Sequence, residues 1–136
     1  MKLLILIPSF NTHQYLDNLI SNIRETNNED ILIYDDGSSP PLSLLSHSQI
    51  GIKLLRNDIN KGKGNVLKKG FEYARHLGYS HVITLDGDMQ HNPIHINSFI
   101  SSLNHADLVL GAREFKAPMP LHRIFSNSIT SFIIST

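Results

Sequence analysis

Polar, turn-forming clusters at 8–12, 35–39, 86–91 and 111–113 each follow a short aliphatic run. This recurrence limits the chain to a narrow set of folds. The sharpest case is His81-Val82-Ile83-Thr84-Leu85-Asp86-Gly87-Asp88, a β-branched run that stops at two carboxylates one residue apart. Such a run predicts a buried strand. Lys2 to Ile7, Ile31 to Tyr34, Ile52 to Arg56 and Asp107 to Leu110 predict further strands. Between them, apolar residues at helical spacing predict helices over 13–25 and from about Asn65 to His76. The second of these is expected to bury Val66, Leu67, Phe71 and Ala74, with Gly78 as its stop. A third is expected after the cap Asn92-Pro93, with Ile96, Phe99, Ile100 and Leu103 on its stripe. A last amphipathic helix is expected from Leu121. Asn11 or Thr12 is placed to cap the first helix.

Strands alternating with helices across short connections predict an α/β domain with a largely parallel sheet and right-handed crossovers. Every polar cluster then falls at the carboxyl end of a strand, and all of them meet at one rim. In open α/β sheets that rim is where ligands bind. Asp86 and Asp88 leave the sheet there. Two carboxylates this close repel unless solvated or neutralised. A hard divalent cation, Mg²⁺ or Mn²⁺, is the usual neutraliser, and it takes oxygen ligands together with a substrate's phosphates. Gly87 is expected to supply a tight backbone turn between them. Without a metal, the same residues read as an ordinary polar strand-to-helix turn.

Composition removes other classes. With 136 residues the chain suits one domain with a real core, and its formal net charge of +0 gives no footing for nucleic acid as the main partner. There is no cysteine, so disulfides and thiolate zinc sites are excluded. The aliphatic stretch Leu3 to Ile7 is too short for a signal-peptide core or a membrane span. The loop Asn60-Lys61-Gly62-Lys63-Gly64 has no glycine at position 67, so the dinucleotide fingerprint fails, and no Walker A pattern occurs. His91 and His95 are four apart, but Pro93 sets His91 before the helix, which weakens a zinc reading.

Taken together, Ile7-Pro8-Ser9-Phe10-Asn11, Asp35-Asp36-Gly37-Ser38, the 60–64 loop with Gly70-Phe71, Asp86-Gly87-Asp88-Met89-Gln90-His91, and Gly111-Ala112-Arg113 resemble the family 2 glycosyltransferases. The likeness is nearest to the branch that includes dolichol-phosphate mannose synthase. It covers almost the whole chain, in the family's order. Thr12 stands where the family often has glutamate, and Phe10 where it has tyrosine. The resemblance implies a Rossmann-like GT-A fold, a mostly parallel sheet flanked by helices, in one domain over residues 1–136. It also implies that the acceptor-side segment, often Asp-Pro-x-Ser-Gly-Phe, is absent from this sequence.

The resemblance implies roles as well. Pro8, Phe10 and Asn11 line the base and ribose. Asp36 accepts a hydrogen bond from the base, while Asp35 is structural. Lys61, Lys63 and Arg113 approach the diphosphate, with Arg123 a weaker candidate. Asp88 is the expected metal ligand, with Asp86 and Gln90 assisting and Gly87 part of the nucleotide site. The implied reaction is a metal-dependent, inverting transfer of a sugar from a UDP- or GDP-linked donor. The implied acceptor is polyprenyl phosphate at a membrane surface, met by a cytoplasmic protein acting peripherally at the membrane's cytoplasmic face. A hydroxyl acceptor needs a general base, and none stands out; an ionised phosphate needs none. Two rivals compete: a non-catalytic nucleotide-sugar-binding fragment, and a haloacid-dehalogenase-type phosphatase. The second fits poorly, since its nucleophile strand comes first and Gln90 stands where it carries threonine or valine.

Overall fold

The computed structural model describes residues 1–44, 50–90, 92–103 and 108–111. Strand β1 (Leu3–Ser9) leads to helix α1 (His13–Arg24), then β2 (Asp30–Asp35) and β3 (Ile52–Arg56). Helix α2 (Lys63–His76) returns the chain to β4 (His81–Thr84). A 3₁₀ turn at Pro93–His95 then opens α3 (Ile96–Ser102).

Among the described residues the strands form one parallel sheet in the order β3-β2-β1-β4. The chain moves outward from β1 through β2 to β3, and then crosses back to place β4 on the other side of β1. The strand order therefore reverses between β1 and β4. This Rossmann-like arrangement is the one expected from the sequence, and in sheets of this kind ligands bind outside the carboxyl ends of the strands at the reversal point.

The aliphatic run of β1 is explained by its central place. Leu3, Ile5 and Ile7 face one core, with Leu16, Leu19 and Ile23 of α1 and Ile96 of α3. Leu4 and Leu6 face the other, with Val66 and Ala74 of α2. A strand buried on both faces has no polar side to show. Burying each such side chain contributes about 1.5–3 kcal/mol.

Several expectations need correction. Phe71 is 47% exposed, because α2 turns Val66, Gly70 and Ala74 toward the sheet and Phe71 away from it. A β-carbon at Gly70 would lie 2.4 Å from Leu6 Cδ2, so glycine is what lets this helix sit so close to β1. The helix also begins at Lys63, two residues before the expected Asn65. Its end is as expected, with Gly78 in the left-handed region at φ 73. Helix α3 starts as a 3₁₀ turn, with Asn92 Oδ1 accepting from the Ile94 amide at 3.0 Å. Residues 108–110 form no strand, and Asp107 lies outside the described residues, as does the helix expected from Leu121.

Gly70→Val is expected to destabilise the chain by about 1–3 kcal/mol through overpacking against Leu6. Gly64→Ala, with nothing near its β-carbon position, is expected to be neutral or stabilising by up to ~1 kcal/mol. Urea denaturation of both variants checks the contrast.

Candidate functional site at the carboxyl rim

Backbone hydrogen bonds align the strand tips. The Asp36 amide donates to Ser9 O at 2.8 Å, the Asn57 amide to Asp35 O at 2.8 Å, and the Leu85 amide to Leu6 O at 3.0 Å. These bonds bring Pro8 to Asn11, Asp35 and Asp36, the 57–64 loop and Asp86 to Asp88 to one edge. Pro8 is half-buried there, Phe10 is 47% exposed and Asn11 is exposed. Arg113 and Arg123 lie outside the described residues, as does His91.

Asn11 adopts φ 54, a region that asparagine tolerates better than most residues. There its amide donates to Ser38 Oγ at 2.8 Å and its Oδ1 accepts from the Ser39 amide at 3.1 Å. It ties the turn after β1 to the turn after β2 and does not cap α1. Thr12 holds the N-cap position of α1 but makes no side-chain cap bond. Its Oγ1 is buried and, among the described residues, has no hydrogen-bond partner.

The adjacent acids Asp35 and Asp36 have separate duties. Asp35, 1% exposed, accepts from the Ser38 amide at 2.9 Å, the Leu42 amide at 3.2 Å and Arg56 Nη1 at 2.5 Å. Burial pushes its carboxyl up, but the hydrogen bonds from Ser38, Leu42 and Arg56 outweigh that and hold it below the ordinary value. This is the structural role expected of it. Asp36 reaches the other way. Its Oδ1 accepts from Asn57 Nδ2 at 2.8 Å and the Lys61 amide at 2.9 Å, and its Oδ2 from the Gly62 amide at 2.8 Å. The Lys61 and Gly62 amides are thus spent on a protein carboxylate. Gly37 makes room for the loop: at φ 77, its β-carbon would sit 2.5 Å from the Ile59 carbonyl carbon.

The acidic turn sits at the reversal point. Gly87 is not in the left-handed region; its smallness matters because a β-carbon would meet Ser9 Oγ at 2.8 Å and Pro8 O at 3.4 Å. The expected reason for this glycine, a tight backbone turn, gives way to close packing against the tip of β1. Asp88 Oδ1 accepts from the Gln90 amide at 3.0 Å across Met89, whose φ is 60. Lys63 Nζ pairs with Asp86 Oδ1 at 2.5 Å, with both side chains partly exposed. Lys63 thus meets one of the two carboxylates expected to assist a cation.

Among the described residues, no three His, Asp or Glu side chains gather as a metal cage. Two carboxylates on a half-exposed turn match a cation that also takes phosphate oxygens and water, as Mg²⁺ does. A cavity of about 180 Å³, lined by Asp30, Gly51, Tyr73 and Tyr79 among others, lies at the amino edge and is separate from this rim. There the Tyr79 hydroxyl donates to Asp30 Oδ2 at 2.6 Å, so its polar groups satisfy one another.

The fold is an α/β domain with a parallel sheet, and its acidic strand tips meet at the point where the strand order reverses. The chain belongs to the family described as glycosyl transferase family 2, whose pattern matches residues 4–132. It is 33% identical to an uncharacterized protein of Methanocaldococcus jannaschii, over 98% of this chain and 61% of that one. It is 27% identical to the UDP-N-acetylglucosamine--dolichyl-phosphate N-acetylglucosaminyltransferase of Methanococcus voltae, over 95% of this chain and 60% of that one. It is 25% identical to the undecaprenyl-phosphate mannosyltransferase of Micrococcus luteus, over 84% of this chain and 49% of that one. The chain spans roughly half to three fifths of these relatives' lengths.

Gly87→Ala is expected to cost about 1–2 kcal/mol, and adding Ser9→Ala should recover most of it, read by denaturant titration of the single and double variants. Asp35→Asn should cost about 2–3 kcal/mol at neutral pH. Because the folded carboxyl titrates below its ordinary 3.8, its stabilisation is complete above that value and fades as pH falls through the lower folded one. The wild type and Asp35→Asn should therefore converge in melting temperature only in strong acid.

Proposed function

We propose that this chain is the nucleotide-sugar part of a metal-dependent, inverting glycosyltransferase that passes a sugar from a UDP- or GDP-linked donor to a polyprenyl phosphate. The observation that carries the reading is the seat of Asp86-Gly87-Asp88 against Ser9 at the reversal point, with Lys63 on Asp86. The chemistry named for the relatives from Methanococcus voltae and Micrococcus luteus, transfer to dolichyl or undecaprenyl phosphate, supports the acceptor class.

In this reading the base and ribose rest along Pro8, Phe10 and Asn11. Asp36 accepts the base N–H through the Oδ2 site that, among the described residues, only the Gly62 amide shares. Asp88, with Asp86 and Gln90, would hold Mg²⁺ or Mn²⁺, which supplies charge stabilisation to a departing diphosphate. Lys63 and Arg113 serve the same diphosphate. A phosphate oxygen of the acceptor forms a bond to the anomeric carbon from the face opposite the donor. The bond from that carbon to the diphosphate oxygen breaks, and its electron pair leaves with the nucleoside diphosphate. No proton has to be removed, in keeping with the lack of an evident base. No helix among the described residues is long and apolar enough to cross a membrane. The proposed place of work is the cytoplasmic face of a membrane, approached peripherally, in the making of lipid-linked sugars.

A thermal-shift panel of UDP, GDP and CDP, with and without Mn²⁺, tests the reading. UDP or GDP should raise the melting temperature only with Mn²⁺, by an amount that reflects about 2.7 kcal/mol at a hundredfold excess over Kd. Asp88→Ala should abolish the rise. A rise indifferent to both metal and substitution would sink the proposed site.

A further inference from the structure

Lys69, half-buried on α2, belongs to none of the motifs in the sequence. Its Nζ donates to Asn57 Oδ1 at 2.8 Å and stands 5.9 Å from the centre of the Tyr34 ring. Asn57 is 3% exposed, and its Nδ2 donates to Asp36 Oδ1 at 2.8 Å and to Asn65 Oδ1 at 3.3 Å. The chemistry of the two ends fixes the amide between them. An ammonium only donates, so it selects Oδ1; an ionised carboxylate only accepts, so it selects Nδ2. If the ammonium is removed, Oδ1 loses its partner and the amide is held only at its Nδ2 end, by Asp36 and Asn65. An Asn57 side chain anchored at one end alone would hold Asp36 less firmly against the loop amides of Lys61 and Gly62.

We propose that Lys69 is a positioning residue for nucleobase selection, acting through Asn57 to hold Asp36 as an acceptor-only carboxylate toward the base. An acceptor held opposite the ring nitrogen of the pairing edge favours a base in which that nitrogen carries a hydrogen. Uracil at N3 and guanine at N1 have one, whereas cytosine at N3 and adenine at N1 present a lone pair. The relay therefore sets which donors enter, and not merely how firmly the loop is held. The inference rests on the nucleotide reading given above and adds to it a residue that never touches the ligand.

The test measures Kd for UDP, GDP, CDP and ADP with Mn²⁺, by calorimetry on the full chain. The wild type should favour UDP or GDP over CDP and ADP by roughly 10- to 100-fold, the scale of one hydrogen bond to a charged group. Lys69→Met should shrink that ratio by about tenfold, while Lys69→Arg, which keeps a cationic donor, should largely preserve it. Should Lys69→Met not fold, Lys69→Gln reads the same ratio. A merely structural lysine would weaken all four nucleotides alike and leave the ratio intact, which overturns the relay. If the wild type binds none of them, the nucleotide reading falls and takes the relay with it. If Asp36→Asn erases the preference but the Lys69 variants keep it, the relay alone fails.

Discussion

Strand β1 is the member on which the whole rim hangs. It is buried on both faces, lies between β2 and β4, and ends where the strand order reverses. Its neighbours approach it more closely than ordinary side chains allow, at two glycines. Gly70 lets α2 lie on Leu6, and Gly87 lets the acidic turn lie on Ser9. Close packing of this kind is unforgiving of added volume. It transmits the position of the strand tip to the carboxylates within a single layer of atoms.

Asp35 and Asp36 show how one dipeptide can serve two purposes. A strand alternates its side chains, so consecutive residues must face apart. Asp35 turns inward to Arg56 and the following turn, and so locks the exit of β2. Asp36 turns to the other side and gathers the loop before α2. The loop leading to Lys63 is thereby fixed from β2, although it follows β3 in sequence. The separate strand tips behave as one framework because polar side chains, and not only the sheet ladder, bind them across the rim.

The strands and the rim were legible because burial on both faces demands uninterrupted aliphatic runs, and because turn residues mark where these runs end. Four things were not legible. Hydrophobicity points Phe71 to the core but carries no direction, and the helix needs its smallest residue inward at Gly70. The work of Gly87 was assigned to its backbone, since contact with Ser9 is invisible until two distant strands are neighbours. Asn57 and Lys69 carried no signal, because an asparagine in a loop and a lysine on a helix are among the commonest surface residues. Their partners are 21 and 12 residues away, and only the fold brings them together. Of the two expected caps, Asn11 or Thr12, it is Thr12 that holds the N-cap position, yet its hydroxyl finds no partner among the described residues.

The ion pair between Lys63 and Asp86 bears on how the rim is loaded. On the proposed function, a divalent ion that takes Asp86 Oδ1 would have to displace the ammonium seated there, so its apparent grip would be discounted by the strength of the incumbent. A ligand that offers the displaced lysine a new anionic resting place refunds that discount. Metal and pyrophosphate would then each tighten the hold on the other through a single mobile charge, with no rearrangement of the sheet.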